Sequence, residues 1–306
     1  MSTLVVGSVA YDTIETPFGK AERILGGAAS YFSVAASFFT PVRLVAVVGE
    51  DFGEQQMAAF RGRQVDLDGL ERAPGKTFHW AGRYSTDLNS RDTIRTDLNV
   101  FETFKPKIPA SYRRSEHVFL ANIDPVLQRG VLEQVERPRF VGCDTMNYWI
   151  SGHNQELRKT LARVDVLLIN DSEARELSGE WNLVKASRAI RAMGPRTLIV
   201  KKGEHGVLMF LESGTFAAPA YPLEEVFDPT GAGDTFAGGF IGYLARTQDH
   251  SFDNLKRAII VGSALASFCC EKFGVQRLLE ISREDIDRRV QQFIDLVDFD
   301  IELVEE

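Results

Sequence analysis

The part of the sequence best suited to chemistry is DPTGAGDTFAGGFIGYLA, residues 228–245. It opens with a turn in which Gly231 and Gly233 leave the backbone amides open to a bulky anion. Apolar residues at helical spacing follow, so free N–H groups and the positive end of a helix dipole meet at one point. That combination predicts a phosphate site. Asp234 lies at the same point, where a carboxylate repels phosphate unless it takes a proton from an attacking hydroxyl.

A purely structural explanation of Asp234 is an aspartate that caps a helix after an ordinary glycine-rich turn. Two further glycines, Gly238 and Gly239, fall inside the predicted helix. Each costs roughly 1 kcal/mol relative to alanine there, which a sequence tolerates for close packing against a neighbour or a ligand. We therefore favour the catalytic interpretation of Asp234.

The thirteen residues DPTGAGDTFAGGF resemble the C-terminal signature of the ribokinase-like, or PfkB, carbohydrate kinases. The resemblance covers nearly the whole chain in the right order. It implies an α/β fold, a three-layer sandwich with a mostly parallel central sheet and a small β lid. It also implies an enzyme that moves the γ-phosphoryl group of ATP to an alcohol of a small polyhydroxylated substrate, a sugar or a cyclitol.

The resemblance gives the residues of this signature their expected roles. Asp234 is expected to be the general base. The amides of Gly231, Ala232 and Gly233 are expected to stabilise the charge that develops on the transferring group. Thr230, Gly231 and Gly233 are also expected to bind the nucleotide.

A second candidate site is NDSE, Asn170–Glu173, which follows the apolar strand VDVLLI. Ligands bind at the carboxyl ends of parallel strands, where an amide and a carboxylate three apart can hold a hydrated Mg²⁺ beside nucleotide phosphates. The same residues also form an ordinary helix cap with its capping-box glutamate. The family has an N-x-x-E motif here, so the resemblance assigns Asn170 and Glu173 to Mg²⁺, through water, and Asn170 to the nucleotide. The two roles are compatible.

The resemblance also implies a nucleotide-binding turn at Lys201, Gly203 and Gly206, where the family has a strand followed by Gly-x-x-Gly. An ordinary β-turn would need both glycines as well. Lys201 replaces the hydroxyl residue that is frequent in the family. Its ammonium is therefore expected either to meet a phosphate or to point to solvent.

The expected substrate-binding residues are Asp12, Gly26, Gly27 and Asn122. Asp12 would accept hydrogen bonds from two hydroxyls of a polyol, and the glycines would let a ring approach the backbone. Turn chemistry explains Asp12 and the two glycines equally well when each is taken singly. Ala10 stands where ribokinases often have asparagine, and AASY follows the glycine pair in place of a GxxxN pattern. Both departures argue against ribose itself as the acceptor.

A monovalent cation is a further candidate cofactor, beside ATP and Mg²⁺. Asp228 and Thr230 match positions whose main chain helps to bind such an ion in some members of the family. Gly274 is in register with the segment that completes that site. We assign Asp228 to this ion, with potassium as its candidate identity.

The rest of the chain predicts a single kinase domain over residues 1–306. Strand-like runs alternate with helical stretches from residue 117 to residue 201, which indicates a mostly parallel sheet covered by helices on both faces. Residues 76–104 break this rhythm and predict a projecting β-hairpin or small sheet. The family resemblance implies that they form the small β lid together with residues 12–24.

Aromatic residues mark one face of the predicted lid. Strand alternation puts Phe78, Trp80 and Tyr84 on that face, toward the substrate or toward the lid of a partner subunit. The lid is therefore a candidate homodimer interface. The alternative is a flap with a structural role only.

The composition is that of an ordinary globular protein, with 44% hydrophobic residues, 25% charged residues and a net charge of −8. The negative charge argues against nucleic acid or an anionic membrane as a partner. Three cysteines form no disulfide framework, and neither a signal region nor a long apolar run is found. These features predict a cytoplasmic protein.

Two other functions stay open at this point. The acceptor could be a nucleoside, with Phe78 and Trp80 stacking on its base. The chain could also be a non-catalytic sensor of nucleotide or sugar, but Asp234 argues against a sensor because a binding module gains nothing from a base. The sequence leaves open the acceptor, the phosphorylated hydroxyl, the preferred nucleotide and the oligomeric state.

Overall fold

The computed structural model describes residues 2–88 and 90–298 of the chain. Met1, Asn89 and residues 299–306, which the predicted domain and lid include, lie outside the described residues. The strands in the described part are β1 (Thr3–Val6), β2 (Ala10–Thr16), β3 (Gly19–Gly26), β4 (Val42–Val48), β5 (Val65–Arg72), β6 (His79–Tyr84), β7 (Arg91–Asp97), β8 (His117–Leu120), β9 (Phe140–Asp144), β10 (Val166–Asn170), β11 (Thr197–Lys201), β12 (Val207–Phe210) and β13 (Thr215–Ala218).

The helices of the described part are α1 (Ala28–Ala36), α2 (Glu54–Met57), α3 (Pro125–Gln134), α4 (Asn147–Gly152), α5 (Asn154–Leu161), α6 (Asp171–Ser178), α7 (Leu183–Arg191), α8 (Ala232–Thr247), α9 (Phe252–Cys269), α10 (Gln276–Glu280) and α11 (Arg283–Val297). None of the helices within these described ranges combines the length and the apolarity that crossing a bilayer requires.

The larger sheet has nine strands in the order β13-β12-β11-β10-β9-β8-β1-β4-β5. All neighbours from β11 to β5 run parallel, and β12 and β13 add an antiparallel edge. The predicted alternation of strands and helices is confirmed. The alternation predicts a parallel sheet because each central strand is a short apolar run that can be buried on both faces.

Helices cover both faces of the large sheet. In β1, Val5 packs into the cluster that includes Phe32 of α1 and Phe240 of α8. Leu4, the preceding residue of β1, packs into the opposite cluster, which includes Leu157 of α5. Successive side chains of a strand point to opposite faces, so one short run feeds two cores. The predicted three-layer sandwich is confirmed.

The smaller sheet has four strands in the order β3-β2-β6-β7. β2–β3 and β6–β7 are antiparallel hairpins, and β2 and β6 join them in parallel. These strands come from the two segments that the sequence predicted for a small β lid, and we call the sheet the lid sheet.

The two faces of the lid sheet differ in chemistry. Strand register places Trp80 beside Asp12, so these two side chains share one face. The other face has Thr13 hydrogen bonded to His79 at 2.9 Å and an ion pair from Arg83 to a neighbouring glutamate. Phe78 differs from its predicted place with the other aromatics, because it precedes β6 and stacks on Phe101 with ring centroids 5.2 Å apart.

Candidate active site

Three polar side chains end neighbouring strands at the same edge of the large sheet. Asp144 ends β9, Asn170 ends β10 and Lys201 ends β11. The register pairs Asn170 directly with Lys201 and pairs Leu168 with Asp144. The carboxyl ends of parallel strands meet at one edge, which is where open α/β sheets bind ligands.

The glycine turn and the start of α8 are built by close packing. Gly231 has φ 75°, and a Cβ there would lie 2.4 Å from the ring of Tyr31. Only glycine fits both the conformation and the space. The first amides of a helix have no intrahelical acceptor, although that of Ala232 donates to Pro229 O at 3.2 Å. The turn therefore presents backbone N–H groups at the positive end of α8.

Asp234 lies in the first turn of α8 and is partly exposed. Burial and the nearby Asp144 carboxylate raise the pKa of its carboxyl to about 7. The positive charges of Lys201 and Arg91 act in the opposite direction. A carboxyl that titrates near neutrality, placed beside a glycine turn with free backbone amides, is suited to accept a proton from an alcohol.

Lys201 faces the glycine turn. A Cβ on Gly233 would lie 2.8 Å from Lys201 Nζ, and the same ammonium lies 3.9 Å from Asp144 Oδ2. Burial would lower the pKa of this ammonium, but the carboxylates of Asp144, Glu173 and Asp234 outweigh it and raise the pKa. The Lys201 ammonium lies at the glycine turn, and its contact with a phosphate stays a prediction.

Asn170 and Glu173 form a complete capping box at the start of α6. Asn170 Oδ1 accepts from the Glu173 amide at 2.8 Å, and Glu173 Oε2 accepts from the Asn170 amide at 2.8 Å. Glu173 is buried, and burial together with Asp144 raises its pKa to about 7. The Glu173 carboxyl thus caps the helix and also interacts electrostatically with Asp144. Both expected roles are compatible with this geometry.

Gly203 and Gly206 close the connection between β11 and β12. Gly203 begins a short 3-10 turn, and Lys202 N donates to Gly206 O at 2.8 Å. A Cβ on Gly206, which has φ 80°, would lie 2.1 Å from Ala218 O. Chain geometry therefore accounts for Gly206 fully, and contact with a nucleotide stays a prediction for both glycines.

Asp12 is buried against the glycine pair at the start of α1. A Cβ on Gly26 would lie 2.1 Å from its carboxylate, and a Cβ on Gly27 would lie 2.5 Å from Ser8 O. Burial, then the negative charges of Asp228 and Asp234, raise the pKa of Asp12 to about 8. Asp12 therefore lies within electrostatic reach of the glycine-turn residues.

The family model for pfkB family carbohydrate kinases matches residues 3–282. The chain belongs to this family. A cytidine kinase from Thermococcus kodakarensis is 30% identical over 282 residues, 90% of this chain and 98% of that protein.

Solved structures agree with the fold of this PfkB-family kinase. Aminoimidazole riboside kinase from Salmonella enterica, complexed with aminoimidazole riboside and an ATP analogue, has a TM-score of 0.76 at 20% identity and covers 95% of this chain and 100% of its own. An E. coli structure described as ribokinase II with ATP and Mg²⁺ has a TM-score of 0.74 at 19% identity, covering 95% and 99%.

Asn122 follows β8 and is held by the segment after β9 in this kinase. Its Nδ2 donates to Met146 Sδ at 3.1 Å, and its Oδ1 accepts from Trp149 Nε1 at 2.9 Å. Both ends of the amide therefore have protein partners. A substrate contact of Asn122 stays a prediction.

Asp228 ties the glycine turn to the end of the following helix pair. Its buried carboxylate accepts from the Thr230 amide at 2.8 Å and from the Gly274 amide at 3.0 Å. The Thr230 carbonyl accepts from the Cys269 thiol at 3.5 Å. The side chain of Asp228 is thus used to hold the turn, and a monovalent cation at its main chain stays a prediction.

Sequence reasoning missed two charged residues of this kinase's site. Asp144 carries a weak signal, since it ends a predicted strand next to the one that ends at Asn170. Arg91 carries no such signal, because no local pattern in the sequence marks it out from other arginines. In the structure it is an exposed residue at the start of β7. In the structure Arg91 bonds to the Tyr84 hydroxyl, and its charge acts on Asp234. Thr230 Oγ1 donates to that same hydroxyl at 3.1 Å, which joins the lid sheet to the turn.

Direct coordination of a metal ion by a protein cage is not supported in the described ranges. No three His, Cys, Asp or Glu side chains within residues 2–88 and 90–298 converge closely enough to hold one. Three carboxylates nevertheless act on one another there, those of Asp144, Glu173 and Asp234. Such a set fits a hydrated Mg²⁺ that takes most of its ligands from water and nucleotide phosphates.

Proposed function

We propose that this kinase transfers the γ-phosphoryl group of ATP to an alcohol of a nucleoside. The observation that carries the proposal is the meeting of Asp234, the glycine turn and Lys201 at one end of α8, with the buried Asp12 carboxyl in electrostatic reach. The arrangement brings together a base, a set of amides that can bind an anion, and a carboxyl that can accept hydrogen bonds from a polyol. These are the parts that phosphoryl transfer requires.

In this proposal Asp234 accepts the proton of the attacking hydroxyl. The acceptor oxygen bonds to the γ-phosphorus, and the bond from that phosphorus to the leaving ADP oxygen breaks. The amides of Gly231 and Gly233 stabilise the charge that spreads over the transferring group. Asp234 later releases its proton to solvent.

Asn170 and Glu173 would hold Mg²⁺ through water, beside the nucleotide phosphates. When bound, it neutralises phosphate charge and aligns the β- and γ-phosphates. One Glu173 oxygen accepts from the Asn170 amide. The other is left for a water molecule of the ion, so the cap and the metal shell can coexist.

The choice of a nucleoside rests on the lid and on the relatives. Asp12 would accept from two hydroxyls of the sugar ring, and Gly26 keeps the space in front of its carboxylate free of a Cβ. The register puts Trp80 beside Asp12 on the same face of the lid sheet. An aromatic ring there can stack on a base. The cytidine kinase relative and the riboside kinase structure favour this class over a free sugar or a cyclitol.

We also propose a monovalent cation, a homodimer and a location. Potassium beside Asp228 follows from the family resemblance. A homodimer through the lid would use the face with Thr13, His79 and Arg83, which is turned away from Asp12. A cytoplasmic location agrees with three cysteines that are all free thiols.

The test is ATP consumption by the full chain with Mg²⁺ over a panel of pentoses, hexoses, inositols and nucleosides. We expect turnover with at least one nucleoside and little with free ribose. An Asp234→Asn variant in the same panel controls for contaminating kinases. Turnover confined to sugars or cyclitols would overturn the nucleoside assignment. Saturable ligand binding with no turnover of any acceptor would favour the sensor.

A further inference from the structure

Lys201 and Asp144 form a charge pair that the proposed mechanism does not yet use. Both residues end strands of the large sheet and both are largely withdrawn from solvent, with side chains 20% and 10% exposed. Lys201 stands where the family often has a hydroxyl residue. An ammonium is a point charge with three donors, so its chemistry differs from that of a hydroxyl.

The pair is loose, which leaves the ammonium available. Lys201 Nζ lies 3.9 Å from Asp144 Oδ2, beyond the range of a hydrogen bond. Asp144 Oδ1 accepts from the Thr145 amide at 2.8 Å. Across residues 2–88 and 90–298 the Lys201 ammonium makes no hydrogen bond of its own. The Asp144 charge therefore holds the ammonium in place without using its donors.

The position of the ammonium identifies what it can bind. It lies against Gly233, in the glycine turn that the proposed function assigns to the transferring group. A side chain on Gly233 would displace it, since a Cβ there would come within 2.8 Å of Nζ. The charges that act on it are carboxylates, namely those of Asp144, Glu173 and Asp234. An incoming phosphoryl oxygen offers this buried cation the acceptor that it lacks.

We propose that Lys201 is a catalytic residue that donates a hydrogen bond to the transferring γ-phosphoryl group, and that Asp144 is the residue that positions it. The inference rests on the proposed function and deepens it at the same site. Lys201 keeps its proton throughout, because the proton of the acceptor hydroxyl goes to Asp234. Its contribution is a fixed positive charge where negative charge builds up, an effect that is strong in a site shielded from water.

The first experiment separates the transferring group from the rest of the nucleotide. Lys201→Met should lower kcat by about 100-fold or more, the size of effect seen when one donor to developing charge is removed. It should weaken binding of a non-hydrolysable ATP analogue while leaving ADP binding and the acceptor KM almost unchanged. Lys201→Arg should recover part of kcat, and Lys185→Met, on the exposed side of α7, serves as the matched control. An equal loss of ADP and analogue affinity, or kcat within about 3-fold of wild type, would overturn the assignment.

The second experiment tests the link between the two residues. Asp144→Asn should lower kcat in the wild-type background by about 10-fold, because the ammonium is no longer held at the turn. In the Lys201→Met background the same change should cost little or should restore activity, since the buried carboxylate then only repels phosphate. Thermal unfolding of each variant shows whether the fold is kept. Equal costs of Asp144→Asn in both backgrounds would contradict the positioning role. Wild-type turnover in the acceptor panel is measured first. Failure of the proposed function is then distinguished from failure of the roles proposed for Lys201 and Asp144.

Discussion

The carboxyl edge of the large sheet and the lid sheet share one site but are built in opposite ways. At the sheet edge Asp144 and Glu173 are buried, and they end strands or begin helices whose apolar residues are inaccessible to solvent. In the lid sheet, β7 is exposed along nearly its whole length, including Arg91. The carboxylates that we propose to surround the chemical step are thus held by packed elements, whereas Arg91 lies on an exposed strand.

The lid sheet is held to the body by apolar packing of Tyr11 and Leu25 into the main core and by a few polar contacts. Thr230 Oγ1 donates to the Tyr84 hydroxyl at 3.1 Å, and the Tyr11 hydroxyl donates to Asp51 O at 2.8 Å. Arg23 adds an exposed ion pair to Asp51 at 3.0 Å. Exposed pairs of this kind contribute about 0–1 kcal/mol each. We therefore expect closure over an acceptor to involve β7, which is exposed along most of its length, while β2 and β3 stay packed on the body.

The largest expected effect comes from a substitution at Asp234, at the start of α8. Asp234→Asn should lower turnover by about 10²–10⁴-fold, because it removes the base without changing the size of the side chain. Folding and nucleotide binding should be retained, as measured by thermal unfolding and ATP-analogue titration. Asp253→Asn, at an exposed position in the first turn of α9, is the matched control. Near-normal turnover of Asp234→Asn at saturating acceptor would remove this residue from the mechanism.

The pH dependence of activity distinguishes the effect of Lys201, in the body, from that of Arg91, in the lid sheet. The pKa of Asp234 is raised to about 7, and only its carboxylate form can accept a proton. We expect kcat/KM to fall about tenfold per pH unit below pH 7 and to level off above it. The pKa read from this profile is an apparent value that belongs to the coupled carboxylates together. Lys201 lowers this pKa more than Arg91 does. Lys201→Met should therefore move the acid limb upward, and Arg91→Gln should move it by less.

The outcome that contradicts this prediction is a larger shift with Arg91→Gln than with Lys201→Met. It would mean that the lid sets the charge of the base. Profiles normalised to each variant's own plateau keep the comparison independent of absolute activity.

A smaller effect is expected at Glu173. Glu173→Gln keeps an oxygen that can accept from the Asn170 amide, so the capping box should survive. The Mg²⁺ concentration for half activity should rise about 10-fold, as is typical when an outer-shell partner of a metal is lost. The acceptor KM should stay unchanged. If only the midpoint of thermal unfolding falls, the helix cap is the full explanation of this residue.

The smallest expected effect concerns the lid alone. Amide hydrogen exchange in β6 and β7 should slow when a saturating acceptor is present, because closure reduces local opening of this hairpin, whose edge strand β7 is exposed. Exchange in β10, which is buried on both faces, is the internal reference and should not change. Unchanged exchange in β6 and β7 at saturating acceptor would mean that these strands are a structural flap.

The sequence by itself determined the features that depend on neighbours along the chain. The glycine turn, the helix after it and Asp234 in its first turn are set by conformational needs within a few residues. The capping box of Asn170 and Glu173 is equally local, since residues three apart at a helix start face each other. The apolar runs that alternate with helices determined the parallel sheet, because such runs are stable only when buried on both faces.

Only the tertiary structure decided which charged groups meet. Lys201 lies beside Gly233 and near Asp144 because strand order and register bring three distant segments to one edge of the sheet. Arg91 reaches the site because β7 is a strand of the lid sheet, and no local pattern marks it out from other exposed arginines. The raised pKa values of Asp12, Glu173 and Asp234 have the same origin. Burial and the distances between charges are properties of the folded chain, so no spacing within the sequence could have predicted them.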